Sequence, residues 1–140
     1  MSAKQLLLGT LILGVVGNIF DMIFHGGILG STYATISAMS DMANKGGMVW
    51  FIIADFVGAF LFTWFYSKVQ VAFEKTSNGA MMYGLFLGIV LTIPGMLYES
   101  LMYNGFPYWL SWVWVIGGII HYTIYGLILG MIVKPKKAAA

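Results

Sequence analysis

Long apolar runs, broken by single polar residues at helical spacing, make up nearly all of the chain. Four runs are long enough to cross a bilayer, near residues 5–26, 47–68, 80–102 and 108–133. A spanning helix needs about 20 predominantly apolar residues. The pattern predicts an all-α membrane protein, with four transmembrane helices in an antiparallel bundle forming a single domain over residues 1–140. The polar positions inside the runs are ordered. In helix 1, Gly14, Asn18, Asp21 and His25 fall on one stripe. Helix 3 repeats the arrangement with Gly84, Gly88, Thr92, Gly95 and Glu99, and helix 4 with Trp114, Gly118, His121 and Tyr125. Helix 2 carries Asp55, with Gly58 one turn on. Small residues let helix backbones approach closely in lipid. The ionisable faces are therefore expected to point into the bundle, with Gly14, Gly84, Gly88 and Gly118 as packing positions. Gly126-x-x-x-Gly130 is a candidate close-packing face for another helix.

Local signals set the boundaries. Ser77 and Asn78 are offered as caps for helix 3, Pro107 suits the first turn of helix 4, and Pro135 follows its end. Pro94 lies inside helix 3 and should kink it or weaken its backbone bonding. The 2–3 and 3–4 connections are short, which predicts antiparallel neighbours. The 1–2 connection (26–47) is longer, and Leu29, Tyr33, Ile36 and Ser40 recur in it at helical spacing, consistent with a short helix on the outer surface. A faint repeat relates "ILGVV" (12–16) to "FLGIV" (86–90) and "VWFI" (49–52) to "VWVI" (113–116). Two duplicated helical hairpins would produce such matches. So would chance, since apolar helices resemble one another readily.

Composition narrows the class. The chain is 60% hydrophobic and 9% charged, with a mean hydropathy of +0.88, against about 25% charged in soluble domains. The spans leave no room for a separate soluble domain. The first run is longer than a signal-peptide core and lacks a small-residue cleavage site, so it is read as a mature helix. Without cysteine, the chain can form no disulfide, zinc–thiolate or iron–sulfur site of its own. A net charge of +2 gives no footprint for nucleic acid.

The lysines set orientation instead. Lys4, Lys68, Lys75, Lys134, Lys136 and Lys137 share one set of ends and loops, and Lys45 alone falls in the other. By the positive-inside rule both termini are cytoplasmic in a bacterial-type inner membrane. Trp50, Tyr103, Tyr108, Trp109 and Trp112 then gather at the outer interface, where amphipathic rings prefer to sit.

On this topology Asp21, His25, Asp55 and Glu99 lie within roughly 15 Å of the outer boundary, at about 1.5 Å rise per residue. His121 is expected deeper, near the midplane. An Asp at the centre of a spanning helix costs on the order of 3 kcal/mol, less near its ends, so such groups are normally paired, protonated or wet. Ordinary roles compete with functional ones. Asn18 is expected to cross-link helices, Asp21 and Glu99 to be wet interfacial acids, His25 to mark the water boundary, and His121 to be a satisfied core histidine. Asp55 is hardest to dismiss.

Three chemistries fit the cluster Asn18, Asp21, His25, Asp55, Glu99 and His121. No cofactor is predicted. A divalent metal, or a haem or pigment held by one axial histidine, would be the ones these residues could serve, but neither Glu-x-x-His nor His-x-x-x-His is present. A transport path would open only outward, because the inner halves of the helices are almost purely apolar. A structural role would use the polar slab and glycine faces to hold helices and partners. Catalysis has no motif behind it, and no enzyme activity is expected.

The end of helix 1, "DMIFHGGILG", the entry to helix 3, "NGAMMYGLFLGIVL", and "GGIIHYTIYGLILG" in helix 4 resemble a bacterial four-helix integral membrane family of unknown function. The resemblance implies a fold and no activity. The leading expectation is a non-catalytic accessory or structural subunit of a larger membrane assembly, or a homo-oligomer, with the lipid bilayer and other membrane subunits or copies of itself as partners. The alternative is a small-solute or proton transporter, or a ligand- or metal-binding protein, built on the outer polar cluster.

Overall fold

The computed structural model describes residues 1–37, 39, 48–73 and 76–133. Lys45, Lys75, Lys134, Lys136 and Lys137, on which much of the charge bias rests, lie outside the described residues, as do Ser40 and Pro135. Helix α1 (Ala3–Asp21) continues as a π-helical segment (Met22–Ile28). It is followed by α2 (Gly30–Tyr33), α3 (Met48–Val69), α4 (Ser77–Leu97), α5 (Glu99–Met102) and α6 (Tyr108–Ile132). Four stretches, Ala3–Ile28, Val49–Val69, Ser77–Met102 and Tyr108–Ile132, are long and apolar enough to cross a membrane. The described part is an all-α bundle of four long apolar helices packed antiparallel.

Capping explains where the helices begin. The Ser2 hydroxyl accepts from the Gln5 N–H (3.2 Å) while the Gln5 side chain accepts from the Ser2 N–H (2.8 Å), a reciprocal box at the start of α1. Thr76, rather than Ser77 or Asn78, caps α4: its backbone is extended and its hydroxyl accepts from the Gly79 N–H at 3.0 Å. Ser77 is already helical, and its hydroxyl donates to the Gly130 carbonyl across the bundle at 3.2 Å. Helix α4 runs three residues past Pro94 before it breaks at Tyr98.

Close backbone packing follows the hairpins. Helix α1 lies against α3, α4 against α6, and α1 against α6 joins the two pairs. Glycine permits this. A Cβ on Gly14 would enter the Phe56 ring, one on Gly88 would meet the Ile119 Cα, and one on Gly118 would meet the Thr92 methyl group. On Gly84 it would meet the Tyr122 carbonyl, on Gly126 the Ala80 carbonyl, and on Gly130 the Ser77 backbone. The Gly126/Gly130 face is thus filled by α4 of the same chain and is not free for another helix.

The short connection between α3 and α4 does not draw their backbones together in the same way. They meet through aromatic side chains near that connection, because Phe62, Tyr66 and Tyr83 are too bulky to let the backbones close. Tyr83, fully buried, donates its hydroxyl to the Phe62 carbonyl at 2.7 Å. With Leu13, Ala59, Ala80, Tyr125 and Leu129 these rings form the main core.

The opposite end carries a cap. The one-turn helix α2 and the 103–107 loop fold over the bundle, and Leu29, Phe106 and Leu110 are buried there with Tyr33, Ile36 and Trp114 packed around them. In the described part of the 26–47 connection, the turn Gly30–Tyr33 is docked against the bundle rather than lying free. Gly105 makes the return, with φ +83. Replacing it with alanine should cost about 1–2 kcal/mol, because a Cβ is disfavoured in that region. Gly95→Ala, whose Cβ meets open space, should cost nothing in the same thermal denaturation experiment.

Candidate functional site

The cap end of the bundle contains a cavity of about 330 Å³. Every span contributes to it. Helix α1 and its π-helical extension supply Phe20, Asp21, Phe24 and His25. Asp55 comes from α3, Thr92 and Met96 from α4, Glu99 from α5, and Trp114, His121 and Tyr122 from α6.

The π-helical segment turns the α1 residues toward the cavity. The Leu29 N–H donates to the carbonyl of Phe24, five residues back, at 3.0 Å. Such widened turns often accompany functional positions. On the α6 wall two glycines make room. A Cβ on Gly117 would fall inside the Phe24 ring, and one on Gly118 against Thr92.

Five of the six candidate polar residues meet here: Asp21, His25, Asp55, Glu99 and His121. Asn18 does not. Its amide donates to the Gly14 carbonyl one turn back at 2.8 Å, so it neither joins the cluster nor cross-links helices. His121 is not set apart at the midplane. Its Nδ1 lies 3.5 Å from the Asp21 carboxylate, which is ion-pair range rather than a hydrogen bond. The ring also lies beside Gly17, one turn before Asp21 on α1, where a Cβ would sit 3.3 Å from Nε2.

The carboxyl groups of Asp21 and Asp55, from adjacent helices, both line the cavity. The His121 ring stacks on Phe20 (centroids 4.6 Å apart) and meets the edge of Tyr125 (4.5 Å). Its Nε2 is buried without a hydrogen-bond partner, and so is Glu99 Oε2. Buried polar atoms are normally satisfied, so two orphans in one cavity mark a place where something else can bond.

A second set of contacts fastens the cap to the site. Trp114 Nε1–H donates to the Tyr33 hydroxyl at 2.8 Å, and Tyr33 in turn bonds His25 Nδ1. Burial pushes the Tyr33 phenol up to about 12, so it keeps its proton at neutral pH, and the His25 tautomer sets which of the two groups donates. Neither Tyr33 nor Trp114 stood out as a site residue in the sequence. The signal that was available is that Trp114 shares the α6 stripe with His121.

Among the described residues no group of three or more His, Asp or Glu side chains is arranged to hold one metal ion. The cluster is a lined cavity, not a ligand shell. Among the described residues the lining is acidic and aromatic, with no lysine.

No family model, no characterised protein and no solved structure matches the chain. The likeness to a bacterial four-helix family thus rests on the helix-end motifs alone, and the site must be read from its own chemistry.

Proposed function

We propose that this protein binds a small organic cation in the membrane, in the cavity at the cap end of the bundle. The observation that carries the reading is the convergence of three carboxyl groups, from different segments of the chain, on a cavity whose described lining has no basic residue but histidine. An anion would meet Asp21, Asp55 and Glu99 with nothing to neutralise it. A cation would meet them as counter-charges and Phe20, Phe24, Trp114 and Tyr122 as π-faces. Cation–π contacts contribute about 0.5–2 kcal/mol each, most when desolvated. Intramembrane ionisable residues mark such sites by default. The lysine bias supports an orientation with the cap end outward, in an inner membrane, and both termini cytoplasmic. The main core lies under the cavity and closes the other half of the bundle, which favours binding over a through-pore.

A structural role, as an accessory subunit or in a homo-oligomer, is the second reading. It would use the outer half of α3, where residues 49–54 are all exposed. The glycine face of α6 lends it no support, being occupied within the chain.

Equilibrium dialysis of the detergent-solubilised protein against labelled tetraethylammonium tests the proposal. Saturable one-to-one binding is expected, weakened about tenfold by Asp21→Asn, a loss of about 1.4 kcal/mol. Absence of saturable binding by the unmodified protein would overturn it.

A further inference from the structure

We infer that the cation is an amphiphile, its charged head in the acidic cavity and a single hydrocarbon chain in the apolar cleft between α3 and α4. This rests on the cation-binding reading above. The cleft, of about 360 Å³, is lined by Gly58, Leu61 and Phe62 of α3, Leu87 and Leu91 of α4, and Tyr122 of α6, with aromatic neighbours. Tyr122 also lines the acidic cavity, so the two spaces meet at its ring. Helical geometry makes them successive levels of one furrow. Asp55, which lines the cavity, and Gly58, which lines the cleft, are one turn apart on α3.

The furrow exists because α3 and α4 are held apart by the rings of Phe62, Tyr66 and Tyr83, which also close its lower end. Its rim residues Leu61 and Leu91 are 51% and 48% exposed, so it opens sideways, onto lipid. A ligand reaching the acids from the bilayer passes between these helices. Each space is near the lower end of the range of ligand pockets, about 300–1,000 Å³. The polarity of the described lining is divided: Asp21, Asp55 and Glu99 line the space on one side of Tyr122, and aliphatic and aromatic side chains line the space on the other. That division matches a head and a tail. A fully water-soluble cation would leave the apolar half without a partner. An anionic lipid would set its head against the three carboxyl groups.

Gly58 provides the test. A Cβ there meets nothing within 4 Å, so leucine projects into the cleft without disturbing the helices. Displacement of labelled tetraethylammonium by tetramethylammonium and by decyltrimethylammonium is measured against free aqueous concentration, below micelle formation. In the unmodified protein the decyl compound should displace at a concentration at least tenfold lower. In Gly58→Leu that preference should fall below about threefold. Gly95→Leu, equally open around its Cβ but lining neither space, should keep it. Equal potency in the unmodified protein, a preference that survives Gly58→Leu, or a preference lost equally in Gly95→Leu overturns the inference and leaves the head site standing. Failure of the unmodified protein to bind tetraethylammonium removes both.

Discussion

Replacing Gly126 with valine is expected to leave little folded protein. The Cβ at this position would press on the Ala80 carbonyl oxygen and the Met81 Cα, which are backbone atoms of α4. Side chains in an overpacked core can turn aside, and typical costs are about 1–3 kcal/mol. A helix backbone cannot turn aside, so α4 and α6 must separate. Gly84 and Gly130 would then lose their close approach to Tyr122 and Ser77 as well. In lipid these contacts have no hydrophobic driving force to replace them, since association there depends on packing. The loss should reach about 3 kcal/mol or more. It is read as the fraction of monodisperse protein surviving a temperature series in detergent. Gly26→Ala, whose Cβ meets open space, should behave as the unmodified protein. Survival of Gly126→Val within a few degrees of the parent would mean that the two backbones are not in contact.

How far the sequence shows the molecule depends on the range of the interaction concerned. The spans are legible within a few residues, because hydropathy and length are properties of each segment alone. The glycine stripes are legible too, as Gly14, Gly88 and Gly118 all sit at helix contacts. What those stripes touch is not. Gly126 and Gly130 read equally well as a face for a partner subunit and as one for α4, since the pattern belongs to one helix and the contact to two. Depth fails for the same reason. His121 appears central by counting along α6, yet its ring reaches the Asp21 carboxylate of α1. The stripe through Asn18, Asp21 and His25 assumes a regular α-helix throughout, and the π-helical segment after Asp21 breaks that assumption. Asn18 turns to its own helix for a local reason: the Gly14 carbonyl is one turn away and unshielded by a side chain. Tyr33 was visible only as part of a periodic pattern in the loop, and its bonds to Trp114 and His25 are long-range in sequence or depend on the fold of the cap.

A quaternary ammonium ion should bind more weakly as the pH falls from about 8 to about 4, by on the order of 100-fold. The ligand has no proton to gain or lose, so the dependence belongs to the protein. Around the cavity the described carboxyl and imidazole groups are Asp21 and His25 from α1 and its extension, Asp55 from α3, Glu99 from α5 and His121 from α6, with the Tyr122 phenol of α6 beside them. A proton taken up by any of the acids removes a counter-charge, and one taken up by either imidazole places a like charge beside the ligand. All five changes act in the same direction. Tyr33 contributes nothing, because its phenol, pushed up to about 12 by burial, is neutral throughout. One unit charge about 6 Å away at an effective dielectric of about 20 is worth about 3 kcal/mol, which is roughly a hundredfold in affinity. His121→Gln removes one imidazole and should flatten the curve without reversing it. Affinity for tetraethylammonium that is flat across this range would place the ligand away from the acids. Affinity that rises on acidification would identify the preferred ligand as an anion, with the histidines as its partners.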